Sequence, residues 1–196
     1  MAVPDITQAS KTPGAKKLWT REQAARLTEL FPLEHYELIE GELINKMGQK
    51  PPHSYVIMLL VDALASAFGM LRLRIQMSID LSGLDGISSE PEPDVVLLKR
   101  GDPAEFSKRH PGPEDIALLI EVSDTTLELD RNSKCRLYAR NGISEYWIID
   151  IRDRLTFVHR RPEGEEYLAV TICKAEEEIS PLGEPGFVFS LTRLLP

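Results

Sequence analysis

ALLIEVSDTT, residues 117–126, is the stretch on which the fold turns. Ala117 to Ile120, with Val122 beyond, form an apolar run of the kind that lies in the middle of a sheet covered on both faces. Glu121 interrupts it. A lone ionised carboxylate is costly in such a place, so a chain keeps one there where a cation compensates it.

Working outward, DVVLL (94–98) is a second short buried strand, opened by Asp94 directly after Pro93. EYWIID (145–150) is a third. Between the first and third, LELDRNSKCRLYARNG (127–142) has a helical pattern that stops at Asn141-Gly142, a common C-terminal signal. Further upstream, WTREQAARLTEL (19–30) predicts a helix, with a capping box at Thr20 and Gln23 and an apolar spacing at Ala24, Leu27 and Leu30. YELIEGELI (36–44) predicts a hairpin turning at Glu40-Gly41. PPHSYVIMLLVDALASAF (51–68) is the strongest helix, with an apolar face of Val56, Leu59, Leu60, Ala63, Leu64 and Ala67. LRLRIQ (71–76) alternates as a half-buried strand with Leu71, Leu73 and Ile75 inward. GLDGISSEPEP (83–93) and GDPAEFSKRHPGPED (101–115) read as loops. LTFVHR and EYLAVTI, turning at Gly164, read as a closing meander. Buried strands interleaved with helices predict an α/β or α+β domain with a central mixed sheet flanked by helices. A single domain over 19–196 is expected, behind a loose tail at 1–18 that lacks the apolar core of a secretory signal.

The 196 residues carry a net charge of −8. That argues against a surface built wholly for nucleic acid, although acidic sites that hold cations also lower net charge. No uninterrupted apolar run nears the ~18 residues of a membrane span, so no membrane partner is expected. Cys135 and Cys173 lack metal-ligand spacing and suit free thiols in a reducing cytoplasm.

Asp94 and Glu121, both at the ends of buried strands, are candidates to hold a hard divalent ion such as Mg²⁺ through oxygen. Read singly, each could equally be a strand cap or the partner of a lysine or arginine. The next cation along is Lys134, four residues after Asp130. It could make an ordinary ion pair along its helix or fold back to the strand ends. His53 could cap its helix or meet a phosphate. His35 and His159 have no partner pattern, and Tyr146 and Trp147 read as core.

YELIEGEL, EPDVVLL, LLIEVSDTT and DRNSKCRLYARNGISEYWIID together resemble the Uma2 family, the DUF820 group, from about Thr20 to the C-terminus. That family is similar to the restriction-endonuclease-like fold and its PD-(D/E)XK nucleases. The resemblance implies a metal-dependent endonuclease that acts on DNA, with Mg²⁺ or Mn²⁺ as cofactor and a homodimer by analogy. Carried over, Pro93-Asp94 supplies the first half-motif and Glu121 the second acid. Ser123 stands where the nuclease pattern has lysine, and the resemblance moves that role to Lys134 on the following helix. The catalytic set becomes Glu42, Asp94, Glu121 and Lys134, with Asp94, Glu121 and the Val122 carbonyl as metal ligands. Glu37, on the other arm of the hairpin, is the alternative to Glu42. Arg131, Lys134, Arg136 and Arg140, with Arg72 and Arg74, are the local cations expected to meet DNA. The alternative is a non-catalytic binding or assembly module on the same fold.

Overall fold

The structure, a computed structural model, describes residues 18–31, 35–46, 50–102 and 104–194; the expected tail, apart from Leu18, lies outside the described residues. In chain order the elements are α1 (Arg21–Leu30), β1 (Tyr36–Ile39), β2 (Glu42–Asn45), α2 (Pro51–Phe68), β3 (Leu73–Ile75), α3 (Asp85–Ser88), β4 (Val95–Leu98) and β5 (Ile116–Ser123). There follow α4 (Leu127–Leu129), a π-helical turn (Asp130–Lys134), α5 (Cys135–Arg140), β6 (Glu145–Asp150), β7 (Leu155–Glu163), β8 (Glu166–Lys174), β9 (Glu178–Ile179) and β10 (Phe189–Ser190).

Six strands make one mixed sheet in the order β3-β4-β5-β6-β7-β8. Neighbours run antiparallel except β5 and β6, which are parallel. A parallel pair cannot be closed by a tight turn, and Leu127–Arg140 provides the crossover. On one face Leu118, Ile120, Val122 and Trp147 pack against Val56, Ile57, Leu60 and Leu64 of α2. On the other, Val96, Leu119, Tyr146 and Ile148 pack against Leu137, Tyr138 and Ala139 of α5 and Ile39 of the hairpin. Glu121 alternates with Ile120 and Val122, so it shares the α5 face with Leu119. A charge in so apolar a strand is thereby explained: it points at the crossover, from which a lysine can reach it.

Several sequence expectations change. α1 has its capping box, but none of its residues is buried, and Leu30 is exposed. On α2, Ile57 is fully seated in the core where Leu59 was expected, and Leu59 is only partly buried. This 18-residue helix has a mean hydropathy of 1.2 and by length and composition could cross a membrane. Here it covers the sheet, with Asp62 on its exposed side. The strand expected from Leu71 starts only at Leu73, because Met70–Arg72 forms a tight 3-10 turn that leaves Leu71 exposed. Asp85–Ser88 is a short helix inside an expected loop.

The expected hairpin turn is sharp: Glu40 and Gly41 have φ of 51° and 80°. Positive φ at both central residues gives the mirror-image turn whose twist matches the strands. Hydrogen bonds fasten the hairpin to the segment before β4, among them Glu90 N–H to Leu38 O (2.7 Å), Gly41 N–H to Ser88 O (2.6 Å) and Glu40 N–H to Ser89 Oγ (2.9 Å). At the opposite end of the sheet, fully buried Glu145 ties the C-terminal segment down. Its Oε1 accepts from Trp147 Nε1 (2.9 Å) and from Arg160 Nη2 (2.6 Å), and its Oε2 from the Leu182 N–H (2.5 Å).

Candidate functional site

Asp94 sits one residue before β4, and Val95 pairs with Ile120. Antiparallel register therefore sets Asp94 opposite Glu121. Asp94 Oδ2 accepts the Val122 N–H at 2.8 Å and lies 3.2 Å from His53 Nε2, while Gln76 Nε2 donates to Oδ1 at 3.2 Å. Burial pushes the Asp94 pKa up, but His53 and the Val122 N–H outweigh it and hold the carboxyl below its usual range. His53, at the start of α2, is raised: burial lowers it, and the Asp94 carboxylate more than compensates. Its Nδ1 is buried without a hydrogen-bond partner.

Lys134 does fold back. Its Nζ donates to Glu121 Oε1 at 2.9 Å, lies 2.9 Å from Glu37 Oε1 and is 3.8 Å from Asp130 Oδ1. Tyr138, one turn further on, donates its hydroxyl to the same Glu121 oxygen at 3.0 Å. Asp130 and Lys134 begin and end the π turn, four residues apart and so on one face of the crossover, and both are buried; such turns often mark functional positions. Ser123 and Thr126 donate to Asp130 Oδ2 at 2.5 and 2.7 Å. Ser123, found where the nuclease lysine would stand, thus anchors the crossover that delivers Lys134.

Glu37 reaches the cluster, and Glu42 lies elsewhere. In the hairpin register Glu37 faces Ile44 and Glu42 faces Ile39, so both acids are on one side of the ribbon. Glu42 stands one pleat repeat nearer the turn, about 7 Å along the strand. Glu37 Oε1 also accepts the Glu92 N–H at 2.8 Å, which fixes it beside the Pro93-Asp94 bend. Alternation cannot separate the two positions; only the docking of the hairpin does.

Glu37, Asp94, Glu121, Asp130 and Lys134 are each at most 5% exposed. Four carboxylates surround one lysine, and His53 is the second basic group. Burial, then the negative charge of Asp130, Asp94 and Glu37, overcomes the pull of Lys134 and raises the Glu121 pKa to about 8. Lys134 is raised well above its ordinary value: burial works against its charge, and Glu121, Glu37 and Asp130 prevail. The cluster is short of positive charge.

A divalent cation fits that shortage and the all-oxygen donors. Among the described residues no group of three or more His, Cys, Asp or Glu side chains is arranged as a metal cage. Mg²⁺ does not require one, since it keeps several waters and is commonly held by one or two carboxylates. Asp94 and Glu121, opposite one another across the β4–β5 register, would supply that minimum.

The expected basic patch is largely engaged within the protein. Arg140 bridges Asp85, Glu40 and Glu165. Arg131 lies over the Phe157 ring, Arg74 over Phe106, and Arg72 bonds to Leu98 O and Glu184. The exposed cations beside the strand ends are Lys50 and Arg152, both on Asp124. Their place was not legible in the sequence, because it follows from the start of α2 and the end of β6 meeting the end of β5.

Over residues 21–192 the sequence matches Uma2, a family described as "Putative restriction endonuclease". Comparison with curated proteins found no match. Among solved structures, the chain is similar to one titled "Crystal structure of a putative nuclease belonging to DUF820 from Anabaena variabilis", at 17% identity and a TM-score of 0.68. The likeness covers 89% of this chain and 96% of that one, and at this identity it bears on the fold. The match across nearly the whole described length, on the strands and crossover that build the acidic cluster, places this chain in the Uma2 family.

Proposed function

We propose that the chain is a divalent-cation-dependent endonuclease of the PD-(D/E)XK type that hydrolyses DNA phosphodiester bonds. The observation that carries this reading is the 2.9 Å contact between Lys134 Nζ and Glu121 Oε1, which joins a lysine from the crossover to the acid facing Asp94. Asp94, Glu121 and the Val122 carbonyl would hold Mg²⁺ or Mn²⁺. When bound, such an ion supplies a Lewis acid for a phosphoryl oxygen and lowers the pKa of its water.

The remaining chemistry belongs to the side chains. Lys134 orients the attacking water and stabilises negative charge growing at phosphorus. Glu37 and Tyr138 hold the lysine and Glu121 in place, so in this reading Glu37, the alternative to Glu42, is the hairpin acid that completes the site. His53 fixes the Asp94 carboxylate. Lys50 and Arg152 would meet the flanking phosphates.

The test is nicking of supercoiled plasmid in Mg²⁺ or Mn²⁺ by wild type, Lys134→Ala and Glu121→Ala, with thermal melts of each. Nicking by wild type alone, with all three folded at the assay temperature, is expected. Equal nicking by all three would reject the residue assignment.

The second reading, a binding or assembly module without chemistry, is favoured by the internal engagement of the basic residues and the lack of a carboxylate cage. Isothermal titration separates the two. The enzyme reading expects Mn²⁺ binding that disappears in Asp94→Asn, whereas a module would bind no ion there.

A further inference from the structure

β8 ends the six-stranded sheet, so among the described residues one side of its backbone has no strand beside it. Open edges invite pairing with other chains, and proteins usually guard them with charge, proline or a covering element. β8 carries no such guard along its middle. Tyr167 to Cys173 is a seven-residue run without charge or proline, rich in β-branched and aromatic residues. Leu168, Val170 and Ile172 alternate along it and are 52%, 51% and 56% exposed, forming an apolar row on one side of the strand. The only charges are at its ends, and they are opposite: Glu166 begins the strand and Lys174 closes it, both exposed.

That arrangement is self-complementary. Two copies laid antiparallel and centred on Val170 bring Leu168 of each against Ile172 of the other, Val170 against Val170, and Glu166 against Lys174 at both ends. Opposed strand residues share a face, so the two apolar rows merge into one patch. A two-fold contact uses the same surface on both copies, and a segment with its own mirror-image charge order meets that requirement. We infer that β8 is the contact strand of a homodimer, joining two sheets across a two-fold axis at Val170. This contact is independent of the proposed chemistry, because none of its residues belongs to the acidic cluster.

Sedimentation velocity over a concentration series tests it. Wild type is expected to approach twice the 22.1 kDa chain mass. Val170→Lys, which puts two like charges on the axis, should be monomeric throughout, with an unchanged circular dichroism spectrum. Glu166→Lys and Lys174→Glu should each weaken association about tenfold or more, because each sets like charges opposite at both ends. The double reversal, Glu166→Lys with Lys174→Glu, should restore it. A wild type that stays monomeric would overturn the inference. So would a dimer indifferent to Val170→Lys, or a double reversal no better than its parents.

Discussion

Glu121 can be tested as a single residue. Its folded pKa of about 8 exceeds the ordinary 4.5, so the native state binds a proton that the unfolded chain releases. Its contribution favours folding most at or below about pH 4.5 and weakens as pH rises towards 8. Glu121→Gln removes this dependence, so its melting temperature relative to wild type should climb from pH 5 to pH 9, measured by scanning calorimetry. The proposed cation binding would also have to displace that proton. Near pH 7, titrations of wild type with Mn²⁺ in buffers of differing ionisation enthalpy should show about one proton released, and Glu121→Gln none. Lys134 is the converse case: removing one partner of a buried pair typically costs about 3–5 kcal/mol. Lys134→Met should lose stability of that order in urea denaturation, far more than Glu42→Gln. Asp94, Glu121 and Lys134 were legible in the sequence because strand ends and the family motif fix them. Glu37 was legible only as one of a pair.

The element that matters most is the crossover. Deleting Asn132, an exposed residue in the π turn, should relax the segment to an ordinary helix and rotate Lys134 away from Glu121. Plasmid nicking should vanish while far-ultraviolet dichroism stays near wild type. At the hairpin, a side chain on Gly41 would come within 2.9 Å of Leu18 Cβ, and φ is +80° there. Gly41→Ala should cost at least ~1 kcal/mol from the backbone alone, visible as a lower urea midpoint. The sequence announced this turn through Glu40-Gly41. It could not announce the π turn, because Asp130–Lys134 is five polar residues with no apolar stripe of their own to show a change of period. Nor could it show that α1, which lies beside β1 and α3, would be only partly covered, with Ala24 and Leu27 half-buried and Leu30 exposed.

For the whole molecule, the net charge of −8 and the internal engagement of the arginines set the terms of the proposed DNA binding. Lys50 and Arg152 should each contribute about one unit to the salt dependence of affinity. Fluorescence anisotropy with a short duplex should therefore give a shallower slope of log K against log salt in Lys50→Ala and Arg152→Ala. The mixed sheet and its two covered faces were readable from strand composition. The partners of individual cations were not, because they depend on loops such as 83–93 whose course no periodicity encodes.

The Glu145 junction has an optical consequence. Trp147, wholly enclosed, gives its indole N–H to the same carboxylate oxygen that holds Arg160, and that carboxylate also grips Leu182. Detachment of the C-terminal segment would alter the charge beside the indole and shift its emission. With Trp19 replaced by Phe, the protein carries a single tryptophan, whose emission under selective excitation reports whether its last strands are seated.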